Sequence, residues 1–289
     1  MALHKKVRES MKILGEVIRV SIILAILTIL TQIGGIVYLF YKPLGLGIEE
    51  RIKRTWLRIP LKIILYTGFL SLTSLWIVPR FAVGYGRVPL PLFVNEEVPL
   101  KPAGLWICLA NRHYVKPELL ETITSVSKEI RRQYPGTEII YLDANFPFLD
   151  GFPLLPHRSH DDGRKLDICF LYKGTETGER INQPPTWLGY GYSEGPGKDE
   201  YNQIRECEEQ GYWQYSLLNK LIIRGDKSHF TFDEQANSAL LKNIARQPAV
   251  KKIFIEPHLK TRLGLQNIDK IQFHGCRAVR HDDHIHLQI

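Results

Sequence analysis

The sequence predicts an α+β domain, with a small antiparallel sheet and flanking helices around a zinc site, preceded by one or two transmembrane helices. Three observations carry this expectation. Long uncharged runs are confined to the first third of the 289 residues. Helical and strand patterns then follow one another without a regular βαβ rhythm. Finally, five of the ten histidines fall in two short clusters, 157–160 and 281–286.

Residues 1–94 hold 13 Lys/Arg and 4 Asp/Glu, leaving 25 and 26 for residues 95–289. The net charge of +8 therefore sits beside the apolar runs. There it suits anionic lipid headgroups better than a nucleic-acid groove, so membrane lipid is an expected partner and nucleic acid is excluded. Val20–Tyr41 is a run of 22 uncharged residues, enough for a helix across a hydrocarbon core of about 30 Å. It is too long for a signal peptide and lacks a small-residue cleavage site. A second run over 61–79, uncharged from Ile63, has Trp56, Arg58 and Lys62 at one end and Trp76 and Arg80 at the other. It reads as a second span, or as a helix lying in the interface. Residues 1–94 are thus expected to be an anchor and linker, with little regular structure over Val83–Pro102, and residues 95–289 the functional domain. With two spans, the basic tail (Lys5, Lys6, Arg8, Lys12) and the basic loop (Lys42, Arg51, Lys53, Arg54, Arg58) fall on opposite sides, and charge leaves the orientation open.

Within the domain, Pro117 suits a first helical position, and Leu119, Leu120, Ile123, Val126 and Ile130 form one stripe of a helix over Pro117–Gln133. Further helices are expected over Gln214–Arg224 and over Asp233–Ala245, the latter with Asp233 as N-cap. Strands are expected over Glu138–Leu142, Leu166–Tyr172, Val250–Ile255 and His284–Ile289. Gly174–Gly211, rich in Gly, Pro and Tyr, reads as an irregular loop over the site. Cys108, Cys169, Cys207 and Cys276 have no zinc-site spacing and are compatible with two disulfides or with four buried thiols.

The chemistry lies in the histidine clusters. The first is His157-Arg-Ser-His160-Asp-Asp-Gly163-Arg-Lys-Leu-Asp167, and the second is His281-Asp-Asp-His284-Ile-His286. Residues two apart on a strand share a face, so His284 and His286 look into one cavity while Ile285, Leu287 and Ile289 pack behind. His160 and Asp167 converge if Gly163 makes a tight turn and Asp167 opens the next strand. Two imidazoles and one carboxylate suit Zn²⁺ and leave a fourth position open, as in catalytic sites.

His160-x2-Gly163-x3-Asp167 paired with His284-x-His286 resembles the signature of the zinc metallopeptidases that group lysostaphin, the D-Ala-D-Ala peptidases and sonic hedgehog. A nearer likeness is to the penicillin-insensitive murein endopeptidases, which carry a histidine in the place of His157 and a similar run at His281–His286. The likeness covers roughly residues 140–172 and 250–289. It implies zinc ligation by His160, Asp167 and His286, an α+β fold and cleavage of peptide bonds in peptidoglycan stems. His284 is then the first candidate for the base, with Asp283 and His281 next, and His157 would orient the water or a substrate carbonyl. Arg158, Arg164 and Arg280 are candidates for a substrate carboxylate, and His258 reads as structural. Rival expectations are a D-Ala-D-Ala-type carboxypeptidase or dipeptidase and a non-hydrolytic zinc-binding interaction domain. Peptidoglycan as substrate implies a bacterial inner-membrane protein whose domain faces the periplasm.

Overall fold

The structure is a computed structural model and describes residues 2–216 and 228–289. The chain begins with three long helices: α1 (Ala2–Thr31), α2 (Gly34–Arg51) and α3 (Thr55–Leu72). The uncharged run 20–41 is therefore not one helix. It breaks at Gln32, which takes a positive φ of 65°, and Thr31 Oγ1 accepts the Gly34 N–H at 2.7 Å to start the next helix. Gly34 and Gly35 then let α2 fold back on α1. A Cβ on Gly35 would lie 2.9 Å from the Leu24 carbonyl oxygen, closer than real side chains come. α3 continues through a π-helical turn over Thr73–Ile77 into α4 (Val78–Ala82). Pro79 has no N–H with which to close the α ladder, and the widened turn lies just before it. Among the described residues, two stretches are long and apolar enough to cross a membrane, Lys6–Thr31 and Thr55–Tyr85.

The segment read as a linker belongs largely to the folded domain. β1 (Val88–Pro89) pairs with β3 (Tyr114–Val115), and β2 (Leu100–Pro102) joins the main sheet. The helix α5 (Leu105–Leu109) lies between them, and α6 (Pro117–Gln133) follows β3 over the expected residues. The main sheet also contains β4 (Ile139–Tyr141), β5 (Lys165–Cys169), β9 (Lys252–Phe254), β10 (Ile271–Gln272) and β11 (His284–Gln288), in the order β10-β9-β11-β5-β4-β2. Its centre is antiparallel as expected, but both edge pairs, β10–β9 and β2–β4, are parallel. The strand expected over 166–172 divides: β5 ends at Cys169, and β6 (Tyr172–Gly174) begins a second sheet with β7 (Arg180–Ile181) and β8 (Phe230–Phe232). The 174–211 stretch is thus partly regular, holding β7 and the helix α7 (Gln203–Glu209). The helix expected over 214–224 lies mostly outside the described residues. Asp233 caps α8 (Glu234–Arg246) as expected, its side chain accepting the Ala236 N–H at 3.2 Å. A short α9 (Pro257–Arg262) follows β9.

Alternation along β5 and β11 divides the sheet into two chemistries. Leu166, Ile168, Ile285 and Leu287 share one buried core with the stripes of α6 and α8, including Ile123, Val126, Leu240 and Ile244. The intervening Asp167, His284 and His286 belong to the opposite face. Of the cysteines, Cys207 and Cys276 form one disulfide, while Cys108 and Cys169 are buried thiols.

Candidate metal centre

Register places the first pair of candidate ligands. In the antiparallel β5–β11 ladder His286 lies directly opposite Asp167, and the His286 Nδ1 to Asp167 Oδ1 distance is 2.8 Å. Asp167 sits in the middle of its strand rather than opening it. The loop before β5 delivers His160: Gly163 takes a φ of +80° and donates its N–H to Asn145 Oδ1, which turns the chain back towards the sheet. His160 Nδ1 donates to the Ala144 carbonyl at 2.6 Å, so its Nε2 carries the lone pair. That Nε2 stands 3.1 Å from His286 Nδ1 and 3.3 Å from Asp167 Oδ1. Donor atoms on a tetrahedral zinc at 2.0–2.2 Å are about 3.3 Å apart, so the three atoms fit one ion with little movement. His160, Asp167 and His286 thus form a buried cluster that can hold a metal ion.

A second set, His157, Asp167 and His284, also comes within coordinating reach and shares the same carboxylate. Its spacing is looser, with His157 Nδ1 and His284 Nε2 at 3.4 and 3.8 Å from Asp167 Oδ2. That oxygen already accepts the Tyr190 hydroxyl at 2.9 Å, so the first set is the better cradle.

His157 and His284 are each held from behind by a carboxylate. His157 Nδ1 donates to Asp143 Oδ2 at 3.0 Å, and His284 Nδ1 donates to Asp283 Oδ1 at 2.5 Å. Their Nε2 atoms are buried and make no hydrogen bond among the described residues. Asp283 is itself engaged on its other oxygen by the Gly191 N–H at 2.6 Å. Asp143 is gripped at both oxygens by Arg112, at 2.6 and 2.7 Å. Burial works to raise the Asp143 carboxyl, but the Arg112 guanidinium and the bond from His157 outweigh it and hold the group well below the usual carboxylate range. Burial likewise opposes ionisation of Asp167, and the surrounding His160, His284 and His286 keep it ionised. Burial works to lower His284, yet in the metal-free protein the Asp167 and Asp283 carboxylates hold it up at about 9; a cation held by Asp167 would offset the first of these and lower it towards the range of a base. His286 is pushed down to about 4, chiefly by burial.

The cluster opens on a cavity of about 340 Å³ lined by all five expected histidines of the site, His157, His160, His281, His284 and His286, and by Arg158. Of the three arginines singled out in the sequence only Arg158 lines it; Arg164 is exposed elsewhere, and Arg280 pairs with Asp282. His258 donates to or accepts nothing in the cavity and bonds the Glu194 carbonyl at 2.7 Å. Five further residues reach the site without having been singled out: His274 and Arg277 on the cavity wall, and Arg112, Asp143 and Tyr190 behind the histidines. His274 stacks on Phe254, with ring centroids 4.2 Å apart. Compared with known proteins, the chain matches no family model and no curated protein.

Proposed function

We propose that this chain is a zinc-dependent peptidase that cleaves crosslinks between peptidoglycan stem peptides. The supporting observation is the convergence of His160 Nε2, Asp167 Oδ1 and His286 Nδ1 beside an open cavity. A structural zinc site is closed by a fourth protein ligand, whereas three ligands facing a cavity suit catalysis. When bound there, zinc supplies a Lewis acid for the scissile carbonyl and makes water a nucleophile near neutral pH.

The chain's own residues supply the rest. His284, fixed at Nδ1 by Asp283, presents Nε2 to take the proton of the attacking water and pass it to the leaving amine. Asp283 has both oxygens engaged, so it positions His284 and is not itself the base. His157, fixed at Nδ1 by the Arg112–Asp143 pair, offers its Nε2 lone pair to an O–H of the attacking water and orients it. Tyr190 ties the two carboxylate systems together: its hydroxyl accepts the Asp143 N–H at 3.1 Å and donates to Asp167. His281 shapes the wall between His274 and His284, its ring centroid 4.9 Å from that of His284.

Arg158 and Arg277 are exposed at the cavity and suit a carboxylate on the substrate. That observation also favours a second reading, a D-Ala-D-Ala-type carboxypeptidase or a dipeptidase, whose substrate ends in a free carboxylate. Digestion of crosslinked muropeptides by the zinc-loaded full-length protein tests both. Conversion of dimers to monomers is the expected result. Release of a terminal amino acid alone would transfer the site to the second reading. Stoichiometric zinc with no hydrolysis would leave a non-hydrolytic binding domain and overturn the enzyme assignment.

A further inference from the structure

The three N-terminal helices have an arrangement that their apolar runs alone do not reveal. Consecutive helices run antiparallel and in contact. Gly35 lies against Leu24, and Lys42 Nζ reaches Glu16 at 3.7 Å, so α2 returns along α1. The Tyr66 hydroxyl donates to the Gly34 carbonyl at 3.1 Å and Lys62 pairs with Glu49 at 2.5 Å, so α3 returns along α2. The α1–α2 turn lies under the domain: Gln32 Oε1 accepts the Phe148 N–H at 3.0 Å, and Asn111 Nδ2 donates to the Thr31 carbonyl at 3.3 Å. The end of α3 reaches the same place, with Ser74 Oγ donating to the Leu109 carbonyl at 3.1 Å. Ile33, Val37, Val78 and Ala82 complete the joint with Tyr114.

The outward surface of this bundle is apolar, with Ile22, Ile26, Leu39, Phe40, Ile63 and Ile64 all exposed. Single exposed apolar side chains are ordinary, but a belt of them around three helices marks a surface covered by something apolar. Both ends of the belt are polar. One end is the domain. At the other lie the tail with Lys5, Lys6, Arg8 and Lys12 and the α2–α3 connection with Arg51, Lys53, Arg54 and Arg58. Between Lys62 and Arg80 the uncharged part of the third helix is about 25 Å long, near the thickness of a hydrocarbon core. The charges nearest the belt, Glu16, Arg19, Lys42, Glu49 and Lys62, are joined in ion pairs, which lowers their cost near lipid.

We propose that residues 2–85 cross a lipid bilayer three times, with the tail and the α2–α3 connection on the cytoplasmic side and the domain on the opposite side. The middle helix α2, which is too polar to count as a span by itself, crosses packed between the apolar α1 and α3. An odd number of crossings places both basic clusters on one face, where two crossings would divide them, and the bias of Lys and Arg towards the cytoplasm then selects a single orientation. The Cys207–Cys276 disulfide agrees, because such bonds persist on the oxidising side of a membrane. The inference does not rest on the peptidase reading, and its test needs neither metal nor substrate.

Single exposed positions report the sides: Lys6→Cys, Lys53→Cys and, in the domain, Lys198→Cys, each in the full chain expressed in a bacterial inner membrane. A membrane-impermeant maleimide is applied to spheroplasts before and after permeabilisation, with the unsubstituted chain as background for its two buried thiols. The expected pattern is labelling of Lys198→Cys from outside, and of Lys6→Cys and Lys53→Cys only after permeabilisation. Labelling that divides positions 6 and 53 between the two sides would overturn the three crossings. So would labelling of all three positions on the same side. The inverse pattern, with only position 198 protected, would overturn the orientation.

Discussion

Glu256 stands at the start of α9, fully buried, and holds the backbone of the second histidine cluster. Its Oε1 accepts the Tyr215 hydroxyl at 2.5 Å and the His281 N–H at 3.1 Å, while Oε2 has no partner among the described residues. Burial, with Asp282 nearby, raises its pKa from 4.5 to about 7 against the pull of the Tyr215 bond. The folded protein therefore holds this proton more tightly than the unfolded chain. The contribution to stability is fully present below pH 4.5 and is lost as the pH rises through 7. A shift from 4.5 to about 7 corresponds to about 3 kcal/mol between those limits. His286, lowered to about 4, acts in the opposite sense in the metal-free protein, since stability rises as the pH passes from about 4 to 6.5. The wild-type profile alone therefore conceals both. The difference between Glu256→Gln and wild type isolates the glutamate, because any fixed cost of the new amide is independent of pH. Urea unfolding of the metal-free protein, followed by tryptophan fluorescence from pH 4.5 to 8, should show the variant gaining about 3 kcal/mol on wild type over that range. A difference that stays flat would show that Glu256 ionises normally and that the reasoning from its burial is wrong.

Four other outcomes can be read from the structure. The purified protein is expected to bind one zinc by metal analysis, and His160→Ala, Asp167→Ala and His286→Ala to lose it. His284→Ala should keep the zinc and lose turnover by about 10²–10⁴-fold, as removal of a proton-transfer group does; a variant that arrived without metal would make His284 a ligand instead. Arg112→Met leaves the Asp143 carboxylate buried without its partner and should cost about 3–5 kcal/mol in thermal or urea unfolding. The double variant Arg112→Met/Asp143→Leu should recover a large part of that loss, since no stranded charge remains. Replacing Cys207 and Cys276 by serine opens a loop spanning 69 residues and should cost roughly 4 kcal/mol on the chain-entropy account, read from the shift in urea midpoint.

Local patterns made part of the fold legible. The helix over 117–133 declared itself through Pro117 and an unbroken apolar stripe, and α8 through the Asp233 cap; both depend on residues within one or two turns. The two apolar stretches were legible, but the bounds of the first were misread because hydropathy measures the absence of charge, not the direction of the chain. Within Val20–Tyr41 the break rests on Gln32 taking a positive φ and on two glycines that admit the α1 backbone, and none of these interrupts an uncharged run. The stretch 83–102 is mostly irregular, as read, but its pairing with the domain was missed for a related reason. Its prolines suggested loop, yet Val88 and Leu100 pair with strands far along the chain, and no local pattern reports such pairing.

The site divides along the same line. His284 and His286 could be placed on one face because a strand alternates with period two, and the β5–β11 register then sets Asp167 beside His286. Arg112, Asp143 and Tyr190 had no comparable signal. Asp143 lies just beyond β4, Arg112 is 31 residues earlier, and Tyr190 enters from a loop 47 residues later. Each meets the histidines only after the sheet has formed. Yet these residues decide what the two orphaned imidazoles can do. A histidine on a solvated surface would leave both ring nitrogens to water. Here His157 and His284 each spend Nδ1 on a buried carboxylate, and among the described residues neither Nε2 has a hydrogen-bond partner. Packing alone does not require that arrangement, since a buried polar atom without a partner costs about 1–3 kcal/mol. Two such atoms beside a three-donor cradle leave two positions at which a ligand can be held.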